Sequence, residues 1–260
     1  MKSVKWLLAP LACTALALIT GCAKNPTSAN DPLEPYNRFM FAANQDIDHL
    51  LIRPIAKTYT TVTPPPLQKG VTNFFDNTFE LISFPNDFLQ GNFKFMAVDF
   101  WRFFINSTLG VAGLFDVASR VGLPKHFEGF GMTLAKWRGG KSAPYFVIPV
   151  LGPSTIQAAI GLVANYYTTP WAYIKNDYIA DIPPALAYIN YRSQYLAADK
   201  LVETSFDPYT FVRDAYMQNE SRRIAENQAR GDNTFYDAQH NISETSSTDA
   251  SMTSADMSSD

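Results

Sequence analysis

Three polar side chains on one side of an otherwise apolar segment are the first candidates for chemistry in this sequence. Between Asn92 and Thr108 most residues are aromatic or aliphatic, whereas Asp99, Arg102 and Asn106 recur at a spacing that aligns them on a helix. A helix at the surface of a soluble protein has the opposite proportions. Two interpretations are open. The helix is buried with Asp99 paired to Arg102, or its aromatic side faces lipid and its polar stripe faces a polar interior.

A cysteine near the start of the chain predicts a covalent lipid anchor. Two lysines precede an apolar run, Trp6–Ile19, which leads into Gly21-Cys22. A short apolar run behind basic residues is typical of a secretory signal peptide, and a small residue followed by cysteine is typical of a bacterial lipoprotein. We predict a leader over residues 1–21, acylation of Cys22 and a lipid-anchored linker over 22–30. The alternative is an ordinary signal peptide with a chance cysteine.

Cysteine usage, charge and histidine spacing exclude several classes of site. Cys13 lies in the leader, so an acylated Cys22 leaves the mature chain without a thiolate for a disulfide, a metal or nucleophilic catalysis. The net charge of −3 becomes −5 once the two leader lysines are lost, which argues against a nucleic-acid partner. Because His49, His126 and His240 form no pair at helical spacing, we predict no metal and no cofactor.

Two segments resemble catalytic motifs without meeting their structural requirements. Residues Ala135–Ser142 match a loose phosphate-loop pattern, but that loop needs a strand before it and a helix after it. Here a helical pattern comes first, and Pro144 follows the motif. Ser154 lacks the glycines, two residues to either side, that a nucleophile elbow requires. No catalytic residue is therefore predicted.

The hydrophobic pattern predicts one all-α domain over residues 31–230. Helical spacing recurs over the segments 67–81, 92–108, 153–167 and 183–202. Asp31-Pro32 and Asp207-Pro208 each offer a cap and a first-turn proline for a further helix. Strand-like alternation is almost absent, and no mature segment has the roughly 20 uninterrupted apolar residues of a spanning helix. Residues 231–260, rich in Ser, Thr and Asp, predict a disordered tail.

Ordered sequence blocks along nearly the whole mature domain resemble the MlaA/VacJ family of outer-membrane lipoproteins. The first block is Asp31-Pro32-Leu33-Glu34-Pro35-Tyr36-Asn37-Arg38, and the last joins Asp207-Pro208-Tyr209 to Arg213. The chain departs from the family pattern at Gly129, at Met132 and in the loop Trp137–Pro144. The family-motif positions are Asp31, Pro32, Glu34, Asn37, Arg38, Asn73, Phe74, Gln90, Gly91, Gly110, Asp116, Gly131, Gly152, Asp207, Pro208, Tyr209 and Arg213.

This resemblance implies a ring-like helical disc in the periplasmic leaflet of the outer membrane, with a central amphipathic channel. The implied role is to remove mislocalised phospholipids from the outer leaflet and pass them to a soluble periplasmic carrier. An associated trimeric porin is implied as a second protein partner. Asp99, Arg102 and Asn106 are then candidates for the lipid path. A structural lipoprotein that braces a porin and transports nothing is the alternative, and an esterase or phospholipase is a third hypothesis.

Overall fold

The computed structural model describes residues 31–231, which fold into α-helices and one short β-hairpin. The helices are α1 (Glu34–Ile47), α2 (Arg53–Val62), α3 (Pro65–Leu89), α4 (Phe93–Thr108), α5 (Phe130–Trp137), α6 (Ile156–Tyr166), α7 (Asp177–Gln194), α8 (Asp199–Glu203) and α9 (Pro208–Gly231). The strands are β1 (Tyr145–Ile148) and β2 (Gly152–Thr155). The predicted all-α class is confirmed, with the hairpin as a small addition to it.

Four predictions concern segments outside the described residues and stay predictions. These are the leader over residues 1–21, the acylated Cys22, the linker over 22–30 and the tail over 231–260. At the other boundary, the last described residue, Gly231, ends α9.

The N-terminal helix is longer than its sequence pattern predicts. It begins at Glu34 and passes through a π-helical segment, Asp48–Ile52, directly into α2. The predicted cap, Asp31, is wrong: the N-cap is Leu33, which makes no side-chain hydrogen bond. The carboxylate of Asp31 instead accepts hydrogen bonds from the side chains of Asn37, within the helix, and Tyr209, so it does not cap the helix backbone. A π-helical turn carries an extra residue and often marks a functional position.

Helices α3 and α4 form the most extensive helix pair of the fold. A short turn joins them, and Gly91 adopts a left-handed conformation there with φ of +74°. Helix α3 contains Pro85 in its interior, where the residue removes one backbone hydrogen bond. Helix α4 starts within one residue of its predicted boundary and ends at the predicted Thr108.

A close glycine crossing fixes the packing of α5 against α6. A methyl group added at Gly161 would lie 2.3 Å from the backbone nitrogen of Gly131. One added at Gly131 would lie 2.9 Å from the Cα of Ala158. Real side-chain carbons do not approach so closely, so both positions require glycine, which lets the two helix backbones touch.

The β-hairpin is the element that the sequence analysis missed. Strand β1 pairs antiparallel with β2, and Tyr145 stands opposite Thr155. Neither strand alternates in polarity, because β1 is apolar throughout (Tyr-Phe-Val-Ile) and β2 is Gly-Pro-Ser-Thr, a composition typical of a turn. The helix predicted from Pro153 consequently begins later, at Ile156, where the Thr155 hydroxyl accepts a hydrogen bond from the backbone nitrogen of Ala158 at 3.2 Å.

Helix α7 begins before its predicted start. The predicted helix starts at Pro183, whereas the observed one begins at Asp177 and contains both Pro183 and Pro184. An interior proline removes a backbone hydrogen bond and crowds the preceding turn, at a cost of about 3 kcal/mol or more, which the packing of α7 against α2 and α3 must offset here. The predicted continuous helix to Val202 is also interrupted, by a 3₁₀ turn over Leu196–Ala198 that precedes α8.

The apolar core is divided into small clusters, and many polar side chains are buried between them. One cluster is built from Phe75, Trp171 and Ala187, and another from Tyr145, Val147 and Tyr209. Numerous large apolar side chains remain exposed on the helices. Across residues 31–231, no helix combines the length and apolarity needed to cross a membrane.

We predict that Gly113→Ala destabilises the protein more than Gly122→Ala. Both glycines have positive φ, +88° and +85°, so each substitution incurs left-handed strain of about 1–2 kcal/mol. Only at Gly113 would the new methyl group also meet the Asn77 side chain, at 2.7 Å, and overpacking adds about 1–3 kcal/mol. Thermal melts followed by circular dichroism in detergent should show a melting temperature several degrees lower for Gly113→Ala. Equal melting temperatures would contradict the close packing at Gly113.

Candidate functional site

Helix α4 places its polar stripe inside the protein and its aromatic side outside. Asp99 and Arg102 are 0% and 1% exposed, and Asn106 is equally buried. On the opposite side Trp101 and Phe104 are each 51% exposed. The polar residues of the stripe therefore face the interior of the protein, as their spacing predicted, and the aromatic residues face outwards. Whether the stripe belongs to a lipid path stays a prediction, because its side chains are enclosed by protein.

The guanidinium of Arg102 is the centre of a buried hydrogen-bonded network. It donates to Oε1 of Glu80 on α3 at 2.6 Å and to Oδ1 of Asp116 at 3.3 Å. It also donates to the hydroxyl of Ser119 and to the backbone carbonyl of Leu123, at 3.1 and 2.7 Å. Charge-assisted bonds of this kind are stronger than neutral ones. Arg102 thus joins α3, α4 and the loop that follows α4.

Asn106 extends the same bracing one turn further along α4. Its side-chain oxygen accepts from the backbone nitrogen of Ala118 at 2.9 Å, and its amide donates to Asp116 at 3.2 Å. Burial alone raises the pKa of Asp116, but hydrogen bonds from Ser119 and the charge of Arg102 outweigh it and hold that pKa below its usual value. The Asp116 carboxylate is therefore ionised and holds the loop against α4.

Asp99 lies beside His126 and not against Arg102, so of the two open interpretations the one in which Asp99 and Arg102 form a buried pair is wrong. Nδ1 of His126 is 3.2 Å from Oδ1 of Asp99, while Nε2 of the same ring is 2.9 Å from Oδ2 of Asp87. Arg102 is already paired with Glu80, which α3 brings closer than any residue of its own helix. Burial, together with the Asp87 and Glu80 carboxylates, raises the pKa of Asp99 to about 11.

A second set of motif residues fastens the two ends of the domain to each other. The buried carboxylate of Asp31 accepts hydrogen bonds from the Asn37 amide at 2.7 Å and from the Tyr209 hydroxyl. Arg38 donates to Asp207 at 2.8 Å and stacks over the Tyr209 ring, 4.4 Å from its centroid. The first and last sequence blocks therefore form one clasp between the start of α1 and the start of α9.

Further motif residues hold other parts of the fold. Gln90 donates to the Thr133 hydroxyl at 3.0 Å and accepts from the Asn227 amide at 2.6 Å, so it links α3 with α5 and α9. Asn73 donates to the carbonyl of Leu114 at 3.0 Å and secures the loop after α4. Glu34 accepts a hydrogen bond from Arg38 at 2.8 Å, and Arg213 donates to Asp214 at 2.8 Å and lies 3.5 Å from Asp31. Among the other motif residues, Gly91 and Gly152 have positive φ, and Gly110 and Gly131 lie against neighbouring backbone. The remaining motif residues are Pro32, Phe74 and Pro208.

A cavity of about 790 Å³ opens between α1, the hairpin, α7 and α9, and the sequence analysis did not identify it. Its apolar lining includes Phe41, Leu151 and Phe211. Its lining also includes Val150, which adopts φ of +68°, a strained conformation for a β-branched residue. The backbone nitrogen and carbonyl of Val150 are bonded to Asn44 at 2.7 Å and Tyr188 at 3.0 Å, which hold the hairpin tip across the cavity.

The other wall of the cavity carries a chain of alternating charges. Arg192 donates to both oxygens of Asp48 at 2.8 Å and to Asp199 at 2.9 Å. Arg53 in turn donates to Asp199 at 2.7 Å and to Glu203 at 2.5 Å. Nη1 of Arg192 is buried without a partner. The cavity is thus amphipathic. The π-helical segment Asp48–Ile52 contributes to its lining, and such segments are often found at functional sites.

Comparison with known proteins identifies the family. The sequence profile of the MlaA lipoprotein family matches residues 29–223. The chain belongs to the MlaA lipoprotein family. The matched range covers the Asp31 clasp, the α4 stripe and every wall of the cavity, so each of these features lies inside the family domain.

Individual relatives agree with this membership. The chain is 34% identical over 216 residues to the Escherichia coli K12 protein named intermembrane phospholipid transport system lipoprotein MlaA, covering 77% of this chain and 82% of that protein. An uncharacterised protein of Rickettsia typhi is 36% identical over 190 residues, covering 71% and 74%. A solved structure described as the structural basis for maintenance of bacterial outer membrane lipid asymmetry superposes with a TM-score of 0.66. That structure is 33% identical, and the match covers 75% of this chain and 98% of that one.

In this MlaA-family domain we predict that Arg102→Met is far more destabilising than Arg222→Met. Removing one partner of a buried ion pair typically costs about 3–5 kcal/mol, since the remaining carboxylates stay buried and unpaired. Arg222 pairs with Glu226 at the surface, where such a pair contributes less than about 1 kcal/mol. Urea unfolding in detergent micelles measures both variants. Similar unfolding midpoints would contradict a central role for Arg102.

Proposed function

We propose that this protein is an outer-membrane lipoprotein that removes mislocalised phospholipids from the outer leaflet and passes them to a soluble periplasmic carrier. Membership of the MlaA family, and the transport role in the name of the Escherichia coli relative, support this assignment. The observation that carries the proposal is the amphipathic cavity, which has an ion-paired wall facing an apolar one.

The cavity has the chemistry that a phospholipid needs. Moving a charged headgroup through hydrocarbon is costly, with estimates for one charge from about 3 to above 10 kcal/mol. The ion-paired wall lowers that barrier, and the unpartnered Nη1 of Arg192 would donate to a phosphate oxygen. Acyl chains would lie against Phe41, Leu151 and Phe211. A passage of this kind needs no covalent step, and its direction follows from the affinity of the protein that accepts the lipid.

The outer surface of the domain exposes apolar side chains suited to contact with a membrane. Phe100, Trp101 and Phe104 of α4 are exposed together, and α6 exposes Ile160 and Val163. Soluble monomers seldom expose large contiguous apolar patches. We infer that these side chains contact the acyl chains of the periplasmic leaflet. A trimeric porin is the second protein partner in this proposal, and it would contact the rim of the domain.

The first experiment measures outer-leaflet phospholipid in cells that lack this chain, with a membrane-impermeant, amine-reactive dye. We expect labelling to rise in the deletion strain and to return to normal on complementation with the wild-type chain. Complementation with Cys22→Ala should fail, because the variant cannot be acylated. No rise in labelling would favour the porin-bracing lipoprotein instead.

A second experiment tests whether lipid passes through the cavity. Ala215 lines the cavity on α9, so Ala215→Trp would place a bulky side chain in the path. Ala225, on the same helix, is also exposed but does not line the cavity, which makes Ala225→Trp the matched control. We expect Ala215→Trp to leave outer-leaflet labelling as high as in the deletion strain, at normal protein levels, while Ala225→Trp restores it. Full rescue by Ala215→Trp would exclude this cavity as the path.

A further inference from the structure

Exposed cations and aromatic rings lie together where the turn between α3 and α4 meets the end of α5. The indole nitrogen of Trp137 donates to the carbonyl of Leu89 at 3.3 Å, and the ammonium of Lys136 donates to Asn92 at 2.8 Å. These two bonds hold the end of α5 against the turn. The basic–aromatic surface that results comprises the exposed side chains of Phe88, Phe93, Lys94, Trp137, Arg138 and Lys141.

The segments that form this surface contain cations and no acidic residue. Residues 88–98 and 129–176 include four lysines, one arginine and neither Asp nor Glu. Asp87 and Asp99, which flank the first segment, are 1% and 0% exposed and face the interior. The α9 side chain nearest the loop after α5 is the neutral Gln228. The surface is therefore positive, although the whole chain has a net charge of −3.

The apolar side of α4 ends at this surface. Phe100 and Phe104 follow Phe93 by seven and eleven residues, so the three side chains share one face of the helix. The ring of Phe93 packs edge-on against that of Phe88, with centroids 6.0 Å apart, and continues the apolar face to the turn. An apolar face bordered by tryptophan and by lysine or arginine is typical of the boundary between hydrocarbon and lipid head groups.

We propose that the basic–aromatic surface binds the anionic head groups of phospholipids in the membrane that α4 contacts. Lys94, Arg138 and Lys141 are the cations that would pair with lipid phosphates. Trp137 would lie at the level of the head groups, with its ring towards the acyl chains. The proposal rests on the proposed membrane contact of α4, and it assigns the N-terminal end of that helix to the head-group side of the leaflet.

The charge of the surface decides which lipid it prefers. Phosphatidylethanolamine has no net charge, whereas phosphatidylglycerol carries one negative charge. Each lysine or arginine close to an anionic membrane surface strengthens binding roughly five-fold, and salt weakens this attraction. None of the six residues lines the cavity of the proposed lipid path, so this surface is separate from it. Lipids bound here would orient the domain and would not be the transported ligand.

The test measures tryptophan fluorescence of the full-length protein in non-ionic detergent micelles. The micelles contain phosphatidylglycerol or phosphatidylethanolamine with bromine atoms near the head group, and bromine quenches tryptophan at short range. Among the described tryptophans, Trp101 and Trp137 are 51% and 58% exposed, and Trp171 is 6% exposed. Trp101→Phe therefore leaves Trp137 as the exposed reporter, and Trp137→Phe leaves Trp101.

We expect Trp137 to report a preference for the anionic lipid. In Trp101→Phe, half of the maximal quenching should require a mole fraction of phosphatidylglycerol at least roughly five-fold lower than that of phosphatidylethanolamine. Raising NaCl from about 0.05 M to about 0.5 M should remove most of this difference, because screening shortens the range of the charges to a few ångströms. In Trp137→Phe, both lipids should quench Trp101, which lies on the apolar side of α4.

Charge-removing variants locate the binding surface. Arg138→Gln combined with Lys141→Gln, in the Trp101→Phe background, should abolish the preference for phosphatidylglycerol. The matched control is Lys57→Gln combined with Lys69→Gln, which removes the same charge from two other exposed positions. Lys69 is about 30 Å from Leu89 along α3, at about 1.5 Å per residue. The control pair should keep the full preference.

The outcomes separate this proposal from the membrane contact on which it rests. Equal quenching of Trp137 by the two lipids, with Trp101 quenched by both, would overturn the head-group proposal alone and leave the surface to a protein partner. Loss of the preference in the Lys57 and Lys69 pair would also overturn it, because net charge and not this surface would then decide. Absence of quenching at Trp101 with either lipid would overturn the membrane contact of α4 as well.

Discussion

The buried guanidinium of Arg102 is the interaction on which the arrangement of this domain depends. A charge in the interior is tolerated only when its hydrogen bonds and its counter-charges are supplied together. Glu80 supplies them from α3, and Asp116 supplies them from the loop beyond α4. Helices α3 and α4 and the loop are therefore held in one orientation, and the aromatic side of α4 must face outwards as a consequence.

This requirement gives the domain an inverted distribution of polarity. Polar networks around Arg102, Gln90 and Asp31 occupy the interior, and the apolar clusters between them are small. Stability therefore comes to a large degree from satisfied hydrogen bonds, whose loss is expensive when the partner stays buried. The same distribution leaves room for a cavity with a charged wall inside an apolar exterior, which is the combination that an amphipathic ligand requires.

The sequence pattern predicted the helix bounds and helix faces that depend on periodicity, and it missed the contacts between residues that are distant in the chain. The bounds of α4 and the inward face of Asp99 follow from spacing within one helix, and both are confirmed. The partner of Arg102 could not be predicted, since Glu80 lies on another helix. The cavity wall joins Asp48 to Arg192, which are 144 residues apart. The hairpin was missed because neither of its strands alternates in polarity, and the π-helical turn because it is too short to leave a periodic signal.

The exposed aromatic side of α4 also has a consequence for the solubility of the folded protein in water. A surface with Phe100, Trp101 and Phe104 uncovered is compatible with a bilayer and hazardous in water, where copies would adhere to one another. This side of α4 therefore needs a cover, a membrane or another protein, from the moment the helix folds, and protein made in excess of that cover should aggregate.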